Sequence, residues 1–116
     1  MDLNNPLFVI PISVGIIFII AGYVMLKFPP KKINMLYGYR TISSMKNKER
    51  WNFAQLYSSK LMINLGLLLA LSSVLGLFIK FNQGMNVIIG LGMMFIIVII
   101  LFIKTEKAIK TKFKNE

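Results

Sequence analysis

The residues of this chain best suited to chemistry lie close together, between positions 34 and 51. They are Asn34, Gly38, Arg40, Thr41, Ser44 and Trp51. Arg40 carries a planar fork of donors, which suits a clamp on an anion or on backbone carbonyls. Asn34, Thr41 and Ser44 offer polar partners within the same short stretch. The plainer reading of Arg40 is an anchor on lipid phosphate. Gly38 stands between Tyr37 and Tyr39, as expected where a turn needs positive φ or a close backbone approach. Trp51 reads as a brace or cap for the site, or as an interfacial anchor, and the two tyrosines as members of an interfacial aromatic belt.

Other chemistries lack their residues. The sequence has no cysteine and no histidine, and its four acids are Asp2, Glu49, Glu106 and Glu116. No nucleophile–base pair, carboxylate pair or metal-ligand set can be assembled from these. The chain therefore does not read as an enzyme, and no metal or cofactor is expected. None of the acids falls inside an apolar run, where a proton-coupled exporter would need one. A small transporter is the weakest of the functional alternatives.

The elements that must position these residues are membrane helices. Of 116 residues, 56% are hydrophobic and mean hydropathy is +0.68. A water-soluble domain of this size cannot hide so much apolar surface. Three runs are long enough to cross a bilayer: about 7–28, 61–81 and 85–103. The segment before the first run has Asp2 and no basic residue, and no small-residue cleavage site follows it, so it reads as a retained span rather than a signal peptide. Pro11 falls in its first turns, where proline costs least. Lys80, at the end of the second run, is placed to snorkel.

Net charge is +10, and every basic residue except Lys80 lies in the first connection, its flanks or the tail after Ile103. By the positive-inside rule these segments are cytoplasmic. The N-terminus and the Asn82–Gly84 turn are then outside and the C-terminus inside. The tail is expected to lie on the anionic inner leaflet; nucleic acid is not an expected partner. Small residues in the spans, including Gly15, Gly22, Gly66, Ala70 and Gly90, are expected to let helices pack closely. Gly66 and Ala70 are also a weak signal for a homo-oligomer.

In the first connection, Pro29-Pro30 stops the first helix. An N-cap is expected at Asn47, with Glu49 at the positive end of the helix dipole. Trp51, Ala54, Ser58, Leu61 and Leu65 share one face. A helix from Lys48 should run directly into the second span and protrude into the cytoplasm. Asn64 is placed to reach back to the loop. The architecture is thus all-α, with three transmembrane helices, an ordered cytoplasmic loop and a cytoplasmic extension of the second helix.

The run Asn34-Met35-Leu36-Tyr37-Gly38-Tyr39-Arg40-Thr41, then Ser44-Met45-Lys46, then Trp51, resembles the signature of the SdpI family of bacterial membrane proteins. The resemblance implies one family domain over residues 1–116, located in the bacterial cell membrane. It also implies a role like that of the family's founding immunity protein, which protects a toxin-producing cell from its own membrane-attacking peptide. Partners would then be the bilayer, a peptide toxin and a cytoplasmic repressor. A membrane docking subunit that recruits a cytoplasmic regulator is the alternative. Residues 34 to 51 should fold as one unit, with Arg40 pointing inward.

Overall fold

In the computed structural model, residues 3–34, 37–79 and 81–114 are described. Three helices account for most of them: α1, Pro6–Lys27; α2, Lys48–Gly76; and α3, Gln83–Lys112. Each is long and apolar enough to cross a membrane. Many large side chains point outward, among them Ile17, Ile20, Leu68, Leu71, Phe95 and Ile96. Helices that are apolar on their outer faces as well as their inner ones are solvated by lipid. The chain is an all-α, multi-pass membrane protein.

Every helix begins on an asparagine cap. Asn5 accepts from Leu7 N at 2.9 Å, Asn47 from Arg50 N at 2.9 Å and Asn82 from Met85 N at 2.8 Å. Such a cap satisfies one of the amides that the first turn leaves unpaired. Asn5 also acts at a distance. Its Nδ2 donates to the carbonyls of Gly76 at 2.9 Å and Ile79 at 3.0 Å, so one side chain closes the start of α1 and the end of α2.

The expected small-residue packing joins α1 to α2. A Cβ on Gly15 would stand 2.7 Å from the Gly66 carbonyl oxygen, and one on Gly66 would stand 2.6 Å from that of Gly15. Gly22 meets the Ser59 carbonyl and Gly76 meets Leu7 in the same way. Without a hydrophobic drive between helices in lipid, dispersion at such close approach supplies the adhesion. Gly66 thus packs inside the bundle against α1. Farther in, Leu65, Leu69, Ile97 and Leu101 form a core with Val14 and Phe18 against it. Ser72 and Ser73 donate to their own helix, to Leu69 O and Ala70 O.

Two element boundaries differ from the sequence reading. α2 ends at Gly76, five residues before the expected Phe81: the chain tightens into i→i+3 bonds from Leu77 N to Val74 O and from Phe78 N to Leu75 O, and Asn5 takes the Gly76 carbonyl. The snorkelling expected of Lys80 lies outside the described residues. More consequentially, the basic tail is not a separate segment after the third span. α3 continues through it to Lys112, since nothing between Ile103 and Lys112 breaks a helix. Thr105 and Ile109 continue the buried stripe of Leu101 at a spacing of four, and both are fully buried. Opposite them runs the start of α2. Phe53 and Phe113 meet edge-to-face at 5.8 Å, with Lys112 Nζ 5.2 Å from the Phe53 ring. The expected extension of α2 is therefore one half of a two-helix stalk.

Candidate functional site

The loop between α1 and α2 is folded against all three helices. It begins where Pro29-Pro30 follows α1. Asn34 makes the first turn, donating from Nδ2 to Lys32 O at 2.9 Å and accepting from Tyr37 N at 2.7 Å. Met35 and Leu36 of the motif lie outside the described residues. The Tyr37 hydroxyl returns to α1 and donates to Phe28 O at 2.7 Å, a carbonyl the ended helix leaves free.

Gly38 has φ of 106°, as expected from its position between two tyrosines. A Cβ there would be 2.6 Å from Gln55 Oε1 and 2.8 Å from Pro30 Cγ. This turn presents the backbone of Tyr39 to α2. Gln55 holds both sides of it: Tyr39 N donates to Oε1 at 2.6 Å, and Nε2 donates to Tyr39 O at 2.7 Å. A buried amide that satisfies a buried peptide at both ends avoids the desolvation cost of either group alone.

Thr41 and Ser44 close the next turn on each other. Thr41 N donates to Ser44 Oγ at 2.9 Å, and Ser44 N to Thr41 Oγ1 at 3.1 Å. Ser44 is fully buried. The Thr41 hydroxyl then donates to Glu106 Oε2 at 3.2 Å, and the Tyr39 hydroxyl donates to the same oxygen at 3.0 Å. One carboxylate on α3 thus gathers two hydroxyls from the loop. Burial pushes the Tyr39 phenol well above its ordinary range, and the hydrogen bond to Glu106 and its charge add to this.

Trp51 decides between brace and anchor. It is fully buried, and its Nε1 donates to Pro30 O at 2.7 Å. It is a brace that joins the proline stop to α2, and not a member of an interfacial belt. Tyr39, also buried, is likewise not a belt residue.

Arg40 departs from expectation: its side chain is exposed, not turned inward. Gln55 and Glu106 hold Tyr39 inside, and Arg40 beside it stays exposed. The buried guanidinium belongs to Arg50, 6% exposed, which donates from Nη2 to Ser43 Oγ at 3.3 Å and lies 5.6 Å from the Phe113 ring centroid. Asn64 is exposed as well. Its expected reach to the loop is taken over by Gln55, two turns nearer the start of α2.

Gln55, Arg50 and Glu106 are the site residues that the sequence reading missed. Gln55 had a usable signal, lying four residues after Trp51 and therefore on its face. Glu106 had a weaker one, as a lone acid among the tail lysines.

Beside the loop is a half-open cavity of about 550 Å³. Tyr37, Gly38, Tyr39 and Arg40 form one wall, Ala21, Val24 and Met25 of α1 another, and Met62, Leu101 and Phe102 the rest.

Fold and site define a membrane protein of three helices whose first connection is a folded, hydrogen-bonded unit fastened to each helix. The chain belongs to the SdpI/YfhL protein family, whose model matches residues 31–103, that is most of the loop, α2 and α3 as far as Ile103. It is 42% identical over 96 residues to the uncharacterized protein YfhL of Bacillus subtilis (strain 168), covering 83% of this chain and 82% of that one. No solved structure matches.

Proposed function

We propose that this protein acts as an SdpI-type immunity protein, protecting the membrane that holds it against a membrane-active peptide toxin. The observation that carries this reading is that the family motif is built as a rigid unit. Gly38, Tyr39, Thr41, Ser44 and Trp51 are all engaged in holding the loop to α1, α2 and α3. A loop held at both ends and along its length is pre-organised, so a partner that binds it is spared the entropy of ordering it. In this reading the loop and the stalk face the cytoplasm, the side to which the basic residues belong.

The test is expression of the chain in a toxin-sensitive bacterial host, followed by challenge with peptide toxins encoded beside its gene. Survival raised above the empty-vector control is the expected result. Unchanged killing at verified membrane abundance, by every such toxin, overturns the reading.

A second reading, a docking subunit for a cytoplasmic regulator, is favoured by the exposed Lys104, Lys107, Lys110, Lys112 and Lys114 along the stalk. In-cell crosslinking from this face distinguishes it. Recovery of lipid and self-copies alone rejects docking.

A further inference from the structure

We propose that the seam between α2 and α3 is a binding site for one phospholipid of net negative charge. Its phosphate lies at Lys104 and Lys107, an ester carbonyl at Asn64 and an acyl chain in the trough beyond. The inference goes beyond the immunity reading and stands without it.

The seam holds two clefts of opposite chemistry. On the stalk, Phe53 and Tyr57 of α2 line a cleft of about 510 Å³ together with Lys104, Lys107 and Lys112 of α3. No acidic residue lines it. Lys104 and Lys107 are exposed, and neither has an ion-pair partner among the described residues. Within the apolar stretches, Leu68, Leu69, Met93, Ile96, Ile97 and Ile100 line a trough of about 280 Å³. The Ser72 hydroxyl there donates to Leu69 O of its own helix, so the trough offers hydrocarbon surface.

The two clefts share one face of each helix. On α3, Met93, Ile97, Ile100, Lys104, Ala108 and Thr111 follow at spacings of three and four. On α2, Tyr57, Leu61, Asn64 and Leu68 do the same. Asn64 therefore falls between the basic cleft and the trough. It is exposed, and its side chain has no hydrogen bond among the described residues. It stands about 6 Å farther along α2 than Lys60, on the membrane side. An amide at that depth is costly without a partner. The glycerol esters of a phospholipid lie just beneath its phosphate, so their carbonyls meet an amide placed here.

The order along the seam selects the occupant. Cations come first, then an amide donor, then hydrocarbon, which is the order of phosphate, ester and chain in a lipid. A free phosphate or a soluble acidic peptide would meet the lysines and leave Asn64 and the trough unused. Phosphatidylcholine carries the same phosphate, but its own ammonium would stand among the lysines. The selection is therefore for net charge and not for phosphate as such.

The experiment is native mass spectrometry of the detergent-purified full chain. It is offered phosphatidylglycerol and phosphatidylcholine of identical acyl chains, and the diether form of phosphatidylglycerol, which lacks the ester carbonyls. The wild type should retain one phosphatidylglycerol in preference to phosphatidylcholine, and the diester over the diether. Lys104→Gln and Lys107→Gln should each reduce the charge preference about five-fold and leave the ester preference in place. Asn64→Leu should do the reverse, lowering diester retention about five-fold to the diether level. Lys31→Gln with Lys32→Gln removes charge from the loop, outside the seam, and should change neither. All of these side chains are exposed, so the fold should be kept, as helix content will show. The proposal is overturned by equal retention of the two headgroups, or by a charge preference that survives in Lys104→Gln with Lys107→Gln. A matching loss in the loop variant, or an ester preference that is absent or survives in Asn64→Leu, also overturns it. Displacement of the lipid by inorganic phosphate would do the same, and displacement by a soluble acidic peptide would give the groove to a protein partner instead.

Discussion

The hydroxyl of Tyr39 donates to the carboxylate of Glu106 across 3.0 Å and a separation of 67 residues. This contact fastens the family motif to the last helix of the bundle, and the same carboxylate oxygen takes the Thr41 hydroxyl. Hydrogen bonds to ionised acceptors are roughly twice as strong as neutral ones. α3 is thereby made part of the loop's foundation, although its sequence there reads as a basic tail.

A double-mutant cycle of Tyr39→Phe and Glu106→Ala tests this contact. Each single change should destabilise the protein, and the pair should be non-additive by about 1 kcal/mol or more. The measurement is equilibrium unfolding in mixed detergent micelles. Strict additivity would mean that the two groups do not interact in solution.

Trp51 is the sole tryptophan and is fully buried. Its fluorescence should be protected from aqueous quenchers in the folded protein and become accessible on unfolding. Trp51→Ala should cost about 3–5 kcal/mol, the range for large-to-small changes at aromatic core positions. Trp51→Phe retains most of the packing but leaves the buried Pro30 carbonyl without its donor, at about 1–3 kcal/mol. Free access of iodide to the native indole would return Trp51 to the interfacial belt.

The glycines of the spans should differ sharply in tolerance. At Gly15 a larger side chain would run into the backbone of Gly66 and Ala70, so Gly15→Leu should separate α1 from α2 and sharply reduce folded protein. At Gly92 no atom lies within 4 Å of an added Cβ, so Gly92→Ala should be neutral, or slightly stabilising through helix propensity. Folded yield and thermal aggregation in detergent read both. Equal tolerance at the two positions would remove the close α1–α2 packing from the account.

Alkaline pH should loosen the loop. Burial, then the Glu106 hydrogen bond and charge, hold the Tyr39 phenol protonated well above its ordinary range, with only the Thr41 hydrogen bond opposing them. In the unfolded chain Tyr39 ionises near pH 10, while the folded protein keeps its proton to higher pH. Above about pH 10 the unfolded state therefore binds fewer protons than the folded one. Stability, complete below that pH, falls as pH rises further. Tyrosinate absorbance should show it: the difference between wild type and Tyr39→Phe should stay flat until the protein unfolds. A Tyr39 signal that rises near pH 10 in the intact fold would contradict its burial.

Local signals in the sequence determined a great deal here. The three spans follow from the lengths of the apolar runs, and the end of α1 from Pro29-Pro30. The start of α2 follows from Asn47, and the turn at Gly38 from a residue free to take positive φ. Each is a property of a few consecutive residues, and the family motif was legible for the same reason. Tertiary structure alone decided which arginine is buried, that Gln55 clasps Tyr39, and that Glu106 joins the loop from the far end of the chain. The physical reason is the solvent. In water, an apolar stripe on a helix shows which face turns inward. In lipid, the outer face is as apolar as the inner one, so hydropathy places a helix in the membrane without saying which side meets its neighbours. That choice came from glycine-to-backbone contact between α1 and α2, and it set the positions from which Gln55 and Glu106 reach the loop.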